Sequence, residues 1–156
     1  MLWRRLIGDS SGRRRRGTCR GDSHISDASE YANQLRVCQS VAVTETAERP
    51  WGTYRVLAEG DCFKIKVIEV LPGHRLSYQK HSRRSEHWFV LAGEGLVILD
   101  GTQSNLGSGD SVDIPSDVAH RIHNTSLVPL IFVEVQHGTY FGEDDINRLD
   151  DDYGRS

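Results

Sequence analysis

The residues of this chain best suited to chemistry are four potential metal ligands in two short clusters. Gln79 and His81 are two residues apart, Glu86 follows them, and His120 comes 34 residues after Glu86. In an extended strand, the side chains of Gln79 and His81 leave the same face. Two imidazoles, one carboxylate and one amide oxygen can hold a divalent metal and leave a position open for a substrate. The sequence therefore predicts a metal site, in either a metal-dependent enzyme or a metal-dependent binding protein.

The elements that must position these ligands are short β-strands separated by turns. Apolar residues alternate with lysines from Phe63 to Val67, and Pro72-Gly73 and Asp100-Gly101 are strong turn signals. The pattern predicts strands at residues 53–58, 62–71, 75–81, 86–92, 95–99, 103–106, 111–114, 120–124 and 129–136. Many short strands with regularly spaced turns are typical of an all-β sandwich or barrel.

Charge divides the chain into two parts. Residues 1–20 carry seven arginines and one acid, whereas the rest carries twelve basic and twenty-one acidic residues. We expect residues 1–45 to form a basic extension that is disordered or has a short helix near residues 28–41, and residues 46–156 to form the β domain. Nucleic-acid contact and organelle targeting are alternative interpretations of the arginines. The acidic tail is expected to form a helical turn or two around Ile146 and Leu149.

The composition does not indicate a disulfide-rich, zinc-thiolate, secreted or membrane-spanning protein. The three cysteines are widely spaced without a C-x-x-C pair, so neither a disulfide framework nor a thiolate zinc site is indicated. Cys62 is expected to be a small core residue. The chain has no secretory signal and no stretch that could span a membrane, so we expect a cytoplasmic protein with no membrane or nucleic-acid partner.

The ligands are framed by glycines in a way that resembles the two motifs of the cupins. The matching positions of the first motif are Gly73, Gln79, His81, Glu86 and Gly93, and those of the second are Gly109, Pro115, His120 and Asn124. Gln79 stands where the first histidine is usual, and Asp117 stands where a glycine is usual. If that position needs a positive φ, Asp tolerates it less easily than Gly. The resemblance implies a double-stranded β-helix, or jelly-roll barrel, with a metal at its mouth.

A narrower resemblance covers residues from about 49 to 155. Residues 49–54, 63–66, 84–88, 120–121 and 134–148 resemble the type II mannose-6-phosphate isomerases. In many of those proteins this domain is the C-terminal part of a bifunctional mannose-1-phosphate guanylyltransferase, whose nucleotidyltransferase half has no counterpart here. The resemblance implies interconversion of mannose 6-phosphate and fructose 6-phosphate through an enediolate, and it implies a separate guanylyltransferase as functional partner. It also implies one divalent metal: zinc is favoured, and manganese, iron or cobalt would also suit the ligands.

A phosphorylated hexose also needs cations, and its isomerisation needs a base. The candidates for holding the phosphate or the enediolate are Lys64, Lys66, Arg84, Arg121 and Arg148. Glu134 is the candidate general base because partial burial on an apolar strand would raise the pKa of its carboxyl group. The alternatives are that Glu134 forms an ion pair with an arginine of the barrel, and that a metal-bound water is the base. We expect His87 to point away from Glu86.

Two other functions remain open at the level of sequence. The chain can be a non-catalytic cupin module that holds metal or sugar phosphate, or it can carry a different metal chemistry, such as that of an iron-dependent dioxygenase. The edge strands need covering, which favours a homodimer.

Overall fold

The computed structural model describes residues 45–155, which form two antiparallel sheets. The strands are β1 Glu45–Arg49, β2 Gly52–Gly60, β3 Phe63–Val70, β4 Tyr78–Lys80, β5 Arg84–Ala92, β6 Glu94–Leu99, β7 Thr102–Gly107, β8 Ser111–Ile114, β9 His120–His123, β10 Leu130–Gly138 and β11 Asn147–Asp150. A single 3-10 turn, Glu143–Asp145, precedes β11.

The sheets interleave distant parts of the sequence. One sheet has the order β1-β2-β3-β10-β5-β8, and the other has the order β11-β4-β9-β6-β7. Their inner faces share one hydrophobic core, in which Trp88 and Phe132 of the first sheet join Val97 and Ile122 of the second. This is the jelly-roll arrangement expected from the sequence.

All nine predicted strands are present as β2 to β10, with small differences at their ends. The hairpin predicted at Asp100-Gly101 joins β6 to β7, and both of its residues have positive φ angles of 45° and 81°. Two positive φ angles in succession give a type I′ turn, which matches the twist of the flanking strands.

The acidic tail differs from the expectation of a helical turn or two. Leu149 lies in strand β11, and Ile146 only caps the short 3-10 turn before it. Strand β11 pairs with β4, where Arg148 lies opposite Gln79. Because β11 is polar and has no apolar alternation, its strand conformation depends on this pairing and could not be found from periodicity.

The prediction for Cys62 was wrong. This residue is exposed in the turn between β2 and β3, so its apolar neighbours belong to β3 and not to a strand that includes it. The predicted N-terminal extension and its short helix lie outside the described residues, and the division at residue 45 stays a prediction. Among residues 45–155, no helix is long and apolar enough to cross a membrane.

Candidate metal centre

Three of the four predicted ligands meet in the interior between the sheets. One ligand atom from each of His81, Glu86 and His120 lies within 4.8 Å of the others. His81 Nε2 is 3.2 Å from Glu86 Oε1, and His120 Nε2 is 3.6 Å from Glu86 Oε2. Ligands about 2.1 Å from a tetrahedral zinc ion stand about 3.4 Å from one another, so these separations fit one ion.

The orientation of His120 is set by the backbone. Its Nδ1 lies 2.9 Å from the carbonyl oxygen of Val118, which fixes the proton on Nδ1 and leaves Nε2 free to bind a metal. His120 Nε2 is buried and has no hydrogen-bond partner among residues 45–155. A buried nitrogen without a partner is costly unless it binds something else. The donor set and this orphaned atom together fit a divalent metal.

Gln79 lies beside the other three residues. Its Nε2 is 3.4 Å from His81 Nε2, while its Oε1 accepts a hydrogen bond of 2.6 Å from the Ser77 hydroxyl. In this orientation the amide presents its nitrogen to the site. A half-turn of the terminal amide would exchange the two atoms and present the oxygen instead.

Strand pairing and one strained turn bring the ligands together. Gln79 of β4 pairs directly with His120 of β9, although 41 positions separate them in the chain. Asp117, with φ 64°, turns the chain so that its backbone N–H donates to His81 O at 2.7 Å. The Ser82 hydroxyl donates to the Asp117 carboxylate at 2.9 Å. The positive φ considered for this position is therefore present, and the aspartate side chain helps to hold the turn.

A second buried carboxylate lies next to Glu86. Trp88 Nε1 donates to Glu86 Oε2 at 3.0 Å and to Glu134 Oε2 at 3.2 Å. Gln136 Nε2 donates to Glu86 Oε1 and to Glu134 Oε1, each at 2.9 Å. The Trp88 indole N–H and the Gln136 amide NH2 thus hold the two carboxylates side by side. Lys66 Nζ completes the cluster and lies 3.0 Å from Glu134 Oε1.

Neither Gln136 nor the hydrogen-bonding role of the Trp88 indole was predicted from the sequence. A signal for both was present: each lies two residues after a predicted site carboxylate, and residues two apart share a strand face. Their pairing across β5 and β10, with Glu134 opposite Trp88 and Gln136 opposite Glu86, depends on the strand order.

The pKa shifts in this cluster suit metal binding. Burial acts to raise the pKa of Glu86, but the hydrogen bond from His81 and the nearby imidazole charges outweigh it and the pKa is lowered. Burial lowers the pKa of His120. An ionised carboxylate and a neutral imidazole are the forms that bind a metal.

The pKa of Glu134 shifts in the opposite direction. Burial is the largest cause of the increase and repulsion from Glu86 adds to it, so that together they outweigh attraction to Lys66. Burial acts to lower the pKa of Lys66, but the charges of Glu134 and Glu86 raise it overall. Glu134 thus has the elevated proton affinity expected of a general base.

A cavity that is partly open to solvent lies over the carboxylates. Gln79, Glu86 and Glu134 are on its wall, whereas His81 and His120 are not. Its charged lining residues are the cations Arg49, Lys66, Arg84, Arg148 and Arg155 and the acids Glu86, Glu134 and Glu143. Five positive and three negative side chains leave two net positive charges, which favour an anionic ligand.

The five predicted cations are distributed unevenly around this cavity. Lys66, Arg84 and Arg148 line it, whereas Lys64 and Arg121 do not. Lys64 forms an ion pair of 3.1 Å with Glu59. Arg121 donates to Asp150 at 2.9 Å on the side of β9 that faces the acidic tail. The roles of all five stay predictions.

Three arginines near the cavity and one histidine outside it remain to be placed. Arg84 is buried beside Glu86, with its Nε 3.4 Å from Glu86 Oε1. Arg49 and Arg155, which line the cavity, were not identified from the sequence. His87 is exposed and lies 2.7 Å from Asp113, facing away from Glu86 as expected.

Comparison with solved structures defines the class of fold. A double-stranded β-helix protein from Klebsiella pneumoniae aligns with a TM-score of 0.57 and 21% identity, covering 70% of this chain and 89% of that one. An RmlC-like cupin from Shewanella frigidimarina aligns with a TM-score of 0.56 and 24% identity, covering 65% and 87%. The fold is therefore that of a cupin.

Sequence comparison identifies the family within that class. The sequence profile described as "Mannose-6-phosphate isomerase C-terminal" matches residues 37–151, and the chain belongs to this family. The alginate biosynthesis protein AlgA of Pseudomonas aeruginosa is 46% identical over 108 residues, which cover 69% of this chain and 22% of AlgA. The mannose-1-phosphate guanylyltransferase of Escherichia coli is 44% identical over 107 residues, with coverage of 69% and 22%. The chain thus spans about a fifth of the length of these relatives.

Proposed function

We propose that this protein is a metal-dependent aldose–ketose isomerase that interconverts mannose 6-phosphate and fructose 6-phosphate. The observation that carries the proposal is the buried set of His81, Glu86 and His120 beside a cavity with two net positive charges. A metal that polarises the substrate oxygens and a cavity that binds an anion would both serve an isomerase of phosphorylated sugars. Membership of the isomerase family supports the choice of substrate.

His81, Glu86 and His120 would hold the metal, and a half-turn of the Gln79 amide would add a fourth ligand. When bound, the ion would supply positive charge where negative charge develops on the substrate oxygens. The mixture of nitrogen and oxygen donors favours zinc and would also suit manganese, iron or cobalt.

Glu134 is suited to move the proton between C1 and C2 of the sugar. It lines the cavity, and its raised pKa lets it both accept and return a proton. Trp88 and Gln136 hold its two oxygens at fixed positions. The Lys66 ammonium, 3.0 Å from Glu134, lies where it can also stabilise the charge of an enediolate.

The phosphate group would bind among the arginines of the cavity wall. Arg84 is deeply buried, whereas Arg49, Arg148 and Arg155 are only partly buried. A guanidinium group offers a phosphate two parallel N–H donors. The cations of the cavity lining outnumber its acids and would attract the phosphate dianion.

The test is a coupled assay with mannose 6-phosphate, with and without added divalent metal. We expect turnover that a chelator abolishes and metal restores. His81→Ala should lose that turnover, whereas His87→Ala, an exposed histidine on the opposite face, should retain it. Full activity of His81→Ala would overturn the metal mechanism.

The same assay distinguishes the non-catalytic alternative. Binding of mannose 6-phosphate without turnover at any metal concentration would identify a binding module. Oxygen consumption that depends on ferrous iron would identify a different chemistry on the same barrel. A homodimer, a separate guanylyltransferase as functional partner, and a cytoplasmic location remain part of the proposal.

A further inference from the structure

The side chain of Gln136 has an unusual position for a neutral amide. It lies on the inner face of β10, it is 1% exposed, and it lines the cavity between the two carboxylates. Buried amides normally satisfy both their oxygen and their nitrogen. Among residues 45–155, the nitrogen of the Gln136 amide has hydrogen-bond partners but its oxygen has none.

Its orientation is fixed by its neighbours. Both hydrogen bonds of Nε2, each 2.9 Å long, go to ionised or ionisable carboxylate oxygens of Glu86 and Glu134. Turning the amide over would place Oε1 against Glu86 Oε1, and an ionised Glu86 has no hydrogen to donate. The assignment of oxygen and nitrogen is therefore dictated by the chemistry of the cluster.

The remaining polar atom, Oε1, is buried and has no hydrogen-bond partner among residues 45–155. Leaving a buried acceptor unpaired costs about 1–3 kcal/mol. The carboxylates beside it already accept hydrogen bonds from Nε2 of the same amide. A ligand that enters the cavity can supply a donor for Oε1.

We propose that Gln136 Oε1 accepts a hydrogen bond from a hydroxyl group of the bound sugar and so selects for it. This inference rests on the proposed function, which makes the ligand a phosphorylated hexose. A neutral acceptor suits a sugar hydroxyl because the hydroxyl donates one hydrogen without a change in charge. Gln136 would then link three groups: the metal ligand Glu86, the base Glu134 and the substrate.

The test pairs a protein variant with altered ligands. Gln136→Met keeps the volume of the side chain and removes the acceptor. Its affinity and that of the wild type would be measured by calorimetry for mannose 6-phosphate and for its 3-deoxy and 4-deoxy analogues, with metal present. If one hydroxyl binds Gln136, the variant binds mannose 6-phosphate about five- to tenfold more weakly, as expected for one hydrogen bond. One deoxy analogue loses less affinity in the variant than mannose 6-phosphate does, because the contact to Oε1 is already missing.

Two outcomes overturn the inference. An equal loss of affinity for all three sugars would mean that Gln136 acts only by holding the carboxylates. Unchanged affinity for mannose 6-phosphate would mean that no hydroxyl reaches Oε1.

Trp88→Phe is the matched control, since it also removes a donor to both carboxylates but leaves Oε1 in place. It should preserve the difference between the parent sugar and the deoxy analogue. Gln136→Asn, which withdraws the acceptor by one methylene, gives a second variant if Gln136→Met does not fold, and the same pattern of affinities is expected. Because the readout is binding, failure of isomerase turnover would sink the proposed function and leave this inference standing.

Discussion

At the scale of the residue, the proposed metal centre depends on hydrogen bonds that orient His120 and Glu86. The Val118 carbonyl sets the proton position of His120, and Trp88 and Gln136 set the carboxylate of Glu86. Such supporting contacts commonly change metal affinity by about 10–100-fold when removed. The metal affinity of the proposed ligands should therefore depend on Val118, Trp88 and Gln136 as well.

Trp88→Phe tests this support for the metal. The change removes the indole N–H but keeps an aromatic ring against Phe132, whose centroid is 5.1 Å away. We expect metal affinity to fall about tenfold because Glu86 loses one of the donors that orient it. Competition with a chromophoric chelator measures this directly. Phe89→Leu, an exposed neighbour on the opposite face of β5, should leave the affinity unchanged.

Lys66→Met tests the charge balance of the carboxylate pair. Removing the ammonium leaves Glu134 buried without its counterion, and a loss of about 3 kcal/mol in the free energy of unfolding is expected. Glu134→Gln in the same protein should recover much of that loss. Urea denaturation of the metal-free proteins provides the measurement, and a double variant no more stable than Lys66→Met would contradict the account.

The loss in Lys66→Met should also depend on pH. Burial and repulsion from Glu86 raise the folded pKa of Glu134 above its unfolded value. A carboxyl group with a raised folded pKa contributes most to stability at low pH, and that contribution is lost as the pH rises through the folded pKa. The variant should therefore be closest to the wild type at acidic pH, and it should become progressively less stable than the wild type as the pH rises beyond the ordinary range of a glutamate.

At the scale of the element, the turn containing Asp117 clamps the strand end that carries His81. Asp117→Ala should reduce stability by about 1–2 kcal/mol, because alanine also pays for the left-handed conformation and loses the hydrogen bond from Ser82. Asp117→Gly adopts the conformation freely and should recover part of the loss. Thermal denaturation of the two variants is the check, and a glycine variant less stable than the alanine variant would contradict the role of backbone strain.

The sequence was most informative about strands and motifs whose own residue pattern identifies them without reference to a neighbouring strand. Alternation and turn residues located β2 to β10, and glycine framing singled out Gln79, His81, Glu86 and His120. Strand β11 could not be predicted from the sequence, because its residues are mostly polar and its strand conformation depends on pairing with β4. Contacts across strands, such as Gln136 with Glu86, depend on β10 lying beside β5. That order is a property of the whole sheet.

At the scale of the whole molecule, the division near residue 45 predicts that the β domain is independent. A chain starting at Ser40 keeps every strand of both sheets and should bind metal as the full chain does. A chain starting at Pro50 lacks β1, which exposes the edge of β2, and should be less stable. Calorimetric melting of both truncations, compared with the full chain, decides this. Failure of the longer truncation to fold would remove the proposed boundary.

We propose that His81, Glu86 and His120 bind one metal ion on which the chemistry depends. A calorimetric titration of metal-stripped protein with zinc measures this binding. We expect one ion for each wild-type chain and loss of that tight site in His120→Ala, with His87→Ala unchanged. The same stoichiometry and affinity in wild type and His120→Ala would show that these residues do not form the site.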